Sequence, residues 1–246
     1  MTKLREMYQN KPVKFALLWI VFYCVVMTAV DGSKNVDRPL NAAVLIFVSV
    51  IMFAFVKAGH LEKEIGLDAW PKDNRKYLYF LPLWVLTTGN LWAGVSLNYK
   101  GMGQVFAIIS MMLVGFVEEM IFRGFLFRGL LRTNKETTAI IISAVTFGIG
   151  HITNLLIGQE IGETLIQIVY AVALGLVFTL VYYKSGKLWP CIIAHSLIDI
   201  FSTINAENDL IGMVYVCIAI IVSVIYSVYL WKLPGNGFEE EINEQQ

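Results

Sequence analysis

Two adjacent carboxylates and a guanidinium, Glu118, Glu119 and Arg123, stand inside an otherwise apolar run, GFVEEMIFRGFLFRGLL, from Gly115 to Leu131. In a bilayer each such charge costs about 2.5–3.5 kcal/mol, so the three left unpaired would cost roughly 8 kcal/mol. The cluster therefore needs partners. Consecutive helical residues point about 100° apart, so Glu118 and Glu119 serve different faces. Glu119 and Arg123 are four apart and share a face, in the favourable acid-before-base order. Arg123 can hold and neutralise Glu119, which leaves Glu118 for another partner. The competing reading is a buried ion-pair brace between helices.

Of the three histidines, His60 lies in a polar loop and reads as a surface residue. His151 and His195 fall inside apolar runs, in TFGIGHITN and PCIIAHSLIDI. A single intramembrane histidine is commonly an interhelical hydrogen bonder, but two beside a glutamate pair point to chemistry. Phe147 and His151 are four apart, so the aromatic ring can shield one side of the imidazole. His195 and Asp199 are also four apart, and the carboxylate can fix the imidazole tautomer. Asn154, three residues after His151, either orients a group or bonds only to backbone. Cys191 precedes His195 by four, but buried cysteine is ordinarily packing.

A carboxylate and two imidazoles on three helices suit two mechanisms. In one, Glu118 is a general base that takes a proton from water, which attacks a peptide carbonyl. One histidine assists the proton transfer, and the remaining groups stabilise the oxyanion. In the other, Glu118, His151 and His195 bind zinc as a His₂Glu set that activates the water. The helical HExxH spacing is absent, so the metal reading has no spacing signature behind it.

These residues must be held by membrane helices. The chain has 246 residues, 57% hydrophobic and 15% charged, with mean hydropathy +0.64; soluble domains are about 45–50% apolar and about 25% charged. The apolar runs are continuous rather than alternating, which excludes a β-barrel reading. The formal net charge is zero, so a nucleic-acid partner has no electrostatic support. Cys24, Cys191 and Cys217 are odd in number and dispersed, against a disulfide framework. The fold class is all-α, a polytopic bundle of about eight spans near 15–30, 40–57, 77–97, 102–122, 137–157, 164–183, 188–204 and 211–231. The fourth continues as helix to about Leu131. The first run is long for a signal peptide and no A-x-A site follows, so it reads as a retained helix.

Lys and Arg set the orientation. Leaving Arg123 aside, fifteen fall in segments on the N-terminal side against three, Lys34, Arg38 and Lys100, on the other. The positive-inside rule then places both termini in the cytoplasm. Residues 1–246 read as one membrane domain, with a catalytic core at 102–204, accessory helices at 15–97 and 211–231, and a disordered acidic tail at 235–246. In the 58–76 loop, AGHLEKEIGLDAW reads either as an interfacial helix with Leu61, Ile65 and Trp70 toward lipid or as a solvated loop. No fixed-period repeat is visible.

Three motifs occur in order: EExxxR at Glu118–Arg123, FxxxH at Phe147–His151 and HxxxD at His195–Asp199. Together they resemble the CPBP group, which comprises the type II CAAX prenyl endopeptidases and their bacterial Abi-like, bacteriocin-processing relatives. The resemblance is strong over roughly 102–204. It implies an intramembrane endopeptidase opening toward the cytoplasm, with Glu118 activating water, His151 as its partner, and His195 and Asp199 at the oxyanion-stabilising positions. Glu119, Arg123, Phe147 and Asn154 support these. An ionised Asp cannot donate to an oxyanion, so Asp199 is assigned as the orienter of His195. The resemblance further implies a glutamate-type hydrolase with no cofactor expected, zinc standing as the alternative, in a multi-pass cell membrane, here a bacterial plasma membrane. Its partners would be lipid and a membrane-associated peptide, such as a pheromone or bacteriocin precursor, entering from the inner leaflet. A non-enzymatic immunity or scaffold protein and a proton-coupled transporter are the other readings.

Overall fold

The computed structural model describes residues 2–32, 34–71, 81–235 and 237–238. Helices dominate; among the described residues the one strand-like feature is an isolated antiparallel bridge between Val95 and Asn205. The order is α1 (Thr2–Asn10), α2 (Pro12–Ala29), α3 (Pro39–Gly59), α4 (Leu81–Thr87), α5 (Met102–Glu119), a π-helical segment (Met120–Phe127) and α6 (Arg128–Leu131). There follow α7 (Glu136–Gly150), a 3₁₀ segment (His151–Ile157), α8 (Ile161–Ser185), α9 (Trp189–Phe201) and α10 (Asp209–Lys232). Proline opens α2, α3 and α9, where its missing N–H costs nothing. Gly158 and Gly186, at φ 85° and 63°, terminate the 3₁₀ segment and α8 in the left-handed conformation.

Six helices among the described residues are long and apolar enough to cross a membrane: α2, α3, the continuous Met102–Leu131 helix, Glu136–Ile157, α8 and α10. The seventh expected span is the 13-residue α9, about 20 Å at 1.5 Å per residue. The expected third span, 77–97, differs more. Residues 77–80 lie outside the described residues, and α4 stops at Thr87. There Thr87 and Thr88 donate their hydroxyls to the Trp84 and Val85 carbonyls, and a 3₁₀ turn at Gly89–Leu91 follows. The fourth helix does run on to Leu131, but through a π-helical turn that residue spacing does not reveal.

One end of the bundle carries the basic residues. There Tyr8 of α1 donates to Glu64 at 2.7 Å, Arg132 pairs with Glu64, and Lys187 pairs with Asp68 at 2.6 Å. Trp189 Nε1 donates to the Leu67 carbonyl at 3.1 Å. The 60–71 segment forms turns rather than the interfacial helix allowed above, and Leu61 and Ile65 are buried in the core instead of facing lipid. The Glu64 and Leu67 contacts hold them inward, and Trp70 alone stays exposed. Lys72, Arg75 and Lys76 lie outside the described residues, as do 239–246 of the expected acidic tail. Phe238, within that tail, is buried against Tyr182 and Phe127.

The opposite end is tied by other contacts. Asn41 donates to the Gly32 carbonyl at 2.7 Å, Gln104 to Thr203 at 3.1 Å, and Asn98 to Asn205 at 2.9 Å. Gly115 sets the distance between α5 and α9. A Cβ there would lie 2.6 Å from both the amide nitrogen and the Oγ of Ser196. Only a residue without a side chain permits that approach, and it brings His195 against the glutamate pair.

Candidate active site

Arg123 is fully buried, and its Nη1 donates to Glu119 Oε1 at 2.7 Å while Nη2 donates to the Gly175 carbonyl at 3.0 Å. Its guanidinium lies over the Phe147 ring at 4.4 Å and near the Phe178 ring at 5.3 Å, a desolvated cation–π arrangement. Gly175 admits this packing, since a Cβ there would meet Phe147 at 3.0 Å and Arg123 Nη2 at 3.3 Å. The π-helical segment begins one residue after Glu119, and all eight of its residues are buried. Ser143 donates to the Phe122 carbonyl at 3.0 Å, which ties α7 to the π-helical segment.

Glu119 also faces α9: its Oε1 lies 2.9 Å from His195 Nδ1. The N–H on Nδ1 donates to this carboxylate, so the second glutamate of the pair, not Asp199, fixes the ring. Phe178 stacks on the imidazole at 5.5 Å and Phe147 meets it edge-on at 5.6 Å. The Nε2 atom is turned to Asp199 Oδ2 at 3.5 Å and Glu118 Oε2 at 3.8 Å. Both separations are longer than a hydrogen bond. Asp199 therefore shares the Nε2 side of His195 with Glu118, whereas spacing alone made it the orienter. Glu118 points away from Glu119, as consecutive residues on a helix must, and accepts the Tyr23 hydroxyl at 3.1 Å.

A cavity of about 520 Å³ joins these groups. Glu118, His151, His195, Asp199, Phe147 and Asn154 line it, together with Tyr23, Phe122, Gln167, Tyr170 and Tyr215. His151 heads the 3₁₀ segment rather than lying within α-helix, and its ring meets the Phe147 edge at 5.7 Å. Asn154 donates to Gln167 at 2.9 Å, a side-chain contact between the 3₁₀ segment and α8. Glu119 and Arg123 stand behind the wall. Cys191 donates to the Phe178 carbonyl and is buried, a packing role. Among the described residues no three His, Cys, Asp or Glu side chains form a group able to hold a metal ion. The Glu118, His151 and His195 set is thus not arranged as a ready ligand cage.

Residue spacing did not reveal Tyr23, Phe178 or the Tyr170–Tyr215 pair, whose hydroxyls are 2.8 Å apart. Phe178 reads as any apolar core residue. A tyrosine within an apolar span was the one available signal for Tyr23 and Tyr170.

A family model described as type II CAAX prenyl endopeptidase Rce1-like matches residues 100–201. That stretch contains all three motifs. No curated protein and no solved structure matches significantly.

Proposed function

We propose, from the premise that residues 100–201 belong to the Rce1-like type II CAAX prenyl endopeptidases, that this multi-pass membrane protein hydrolyses a peptide bond with a glutamate-activated water. The observation that carries the reading is the placement of Glu118. It lines the cavity, is steadied by Tyr23, and faces His195 Nε2 at 3.8 Å.

Glu118 takes a proton from water, and the resulting hydroxide attacks the peptide carbonyl carbon. The tetrahedral oxyanion lies against His195 Nε2. Donation from Nε2 while Nδ1 also donates calls for an imidazolium, and Glu119 and Asp199 flank it with carboxylates. As the C–N bond breaks, the proton held by Glu118 passes to the leaving amine, directly or by way of His151. Arg123 neutralises Glu119 and keeps the support for His195 rigid. The substrate is a membrane-associated peptide, of which a pheromone or bacteriocin precursor is one class.

The test is cleavage of candidate precursor peptides by the protein in liposomes, run for wild type and Glu118→Gln, each with and without a strong chelator. Loss of the general base lowers the rate by about 10²–10⁴-fold, with the unfolding temperature unchanged. Cleavage that survives the chelator supports the glutamate mechanism. Loss that zinc restores assigns a metal to the same residues. Equal cleavage by wild type and Glu118→Gln would overturn the reading and leave a structural role for the polar cluster.

A further inference from the structure

Helix α2 lies outside residues 100–201, yet it reaches the candidate base. Its buried residues are Pro12, Phe15, Ala16 and Tyr23, and their i, i+3, i+4 and i+11 spacing marks one helical face. Leu17, Leu18, Val21, Phe22 and Val25 are exposed around the rest of the helix, as lipid-facing residues of a span would be. Tyr23 is the one of the four buried residues with a polar side-chain group. A hydroxyl kept from water needs a hydrogen-bond partner. Tyr23 finds it across the bundle, donating to Glu118 Oε1 at 3.1 Å.

The height of Tyr23 along the bundle is set two turns earlier. Phe15 meets Phe125 of the π-helical segment edge-on at 5.1 Å. Gly129 of α6 sits so close to α2 that a Cβ there would lie 2.9 Å from Pro12 Cβ. The start of α2 is thus seated on the stretch that follows the glutamate pair, and the helix carries Tyr23 about 12 Å further at 1.5 Å per residue. The two oxygens of Glu118 then have different neighbours. Oε1 accepts from Tyr23, while Oε2 is the oxygen 3.8 Å from His195 Nε2.

From this geometry we infer that Tyr23 is a positioning residue for peptide hydrolysis: its hydroxyl pins Glu118 Oε1, so that Oε2 is the oxygen that takes the proton from water, beside His195. The water O–H bond breaks, its proton goes to Oε2 and its oxygen to the carbonyl carbon, and the proton later leaves with the amine. The site is incomplete without α2. The inference rests on the peptidase reading for what Glu118 does, whereas the hydrogen bond belongs to the fold. The competing account is a tyrosine that only packs α2 and satisfies its own hydroxyl; it predicts lost stability with unchanged turnover.

The experiment uses the full chain in liposomes with the precursor peptides of the cleavage assay, as wild type, Tyr23→Phe, Glu118→Gln and the double variant. Tyr23→Phe keeps the ring and removes only the hydroxyl. The expected result is a kcat about 10–100-fold lower, the scale of a misplaced catalytic group, with KM unchanged because the lost interaction serves the transition state. In the Glu118→Gln background the same substitution has no further effect on kcat, since the two residues act as one unit. An infrared difference spectrum of Tyr23→Phe against wild type reads the hydrogen bond without catalysis. It should show a shifted carboxyl band that is absent when the comparison is made in Glu118→Gln protein.

A wild-type kcat in Tyr23→Phe would overturn the inference, as would a change confined to KM. So would an equal loss of kcat in the wild-type and Glu118→Gln backgrounds, because Tyr23 would then act through some other group. An unshifted carboxyl band has the same consequence. A failure of the peptidase reading shows differently, as equal cleavage by wild type and Glu118→Gln with the infrared shift still present.

Discussion

At the scale of single residues, the two glutamates have separate jobs that follow from helix geometry. Glu119 is fully buried and accepts from Arg123 and His195 through one oxygen, while its Oε2 makes no hydrogen bond. Burying such a group is tolerable only while its cations remain, because an uncompensated charge in low dielectric is costly. Arg123→Met should therefore lower stability by about 3–5 kcal/mol, the penalty for breaking a buried pair. Thermal unfolding in detergent would measure it. Adding Glu119→Leu to the same protein should recover part of the loss, since the orphaned charge is then gone. If Arg123→Met left the melting temperature unchanged, the pair would not be holding the cluster. Activity is a separate readout, because Glu119 also supports His195.

At the scale of elements, the site exists where α5 and α9 come unusually close. Gly115 lets α5 touch α9 at Ser196, and Ser196 Oγ donates back to the Met112 carbonyl at 2.9 Å. The two sides of the contact are backbone or short side chain, so neither can yield cheaply. Gly115→Ala should cost about 1–3 kcal/mol as overpacking. It should also push His195 away from Glu118, so that cleavage falls further than stability does. Measuring both on one preparation separates the effects; a loss of stability alone would mean that α9 moves without carrying His195. The π-helical segment is the second device at this scale. Such turns are frequent at functional sites, and here it starts directly after the glutamate pair and ends where α6 meets α2. The 3₁₀ segment is the third, since it carries His151 and Asn154 across the cavity.

At the scale of the whole molecule, the 60–71 segment packs its Leu61 and Ile65 side chains into the core at the basic end of the bundle. The contribution of this segment depends on burial rather than on membrane contact. Ile65 is 0% exposed and Trp70 is 44% exposed. Ile65→Ala should then cost about 2–5 kcal/mol, typical of a core truncation. Trp70→Ala should stay within about 0.5 kcal/mol, as for exposed sites away from special features. An equal effect of the two, measured by unfolding in detergent, would return this segment to the lipid interface. The charge pairs along this segment, Lys187 with Asp68 and Arg132 with Glu64, fix its register and lie too near water to add much stability.

The fold class, the long apolar helices, the extension of the fourth to Leu131 and the Glu119–Arg123 pair were legible from residue type and spacing. Hydropathy and helical period are local properties, and a charge in an apolar run announces itself. The family match falls on the stretch where the three motifs lie. Spacing could not show that Glu119 rather than Asp199 binds His195 Nδ1, because that choice is made between helices 76 residues apart in the chain. Nor could it show Tyr23 on Glu118 or the inward turn of Leu61 and Ile65. Those depend on which faces meet and how closely backbones approach, and a glycine at position 115 acquires its meaning only once Ser196 is packed against it.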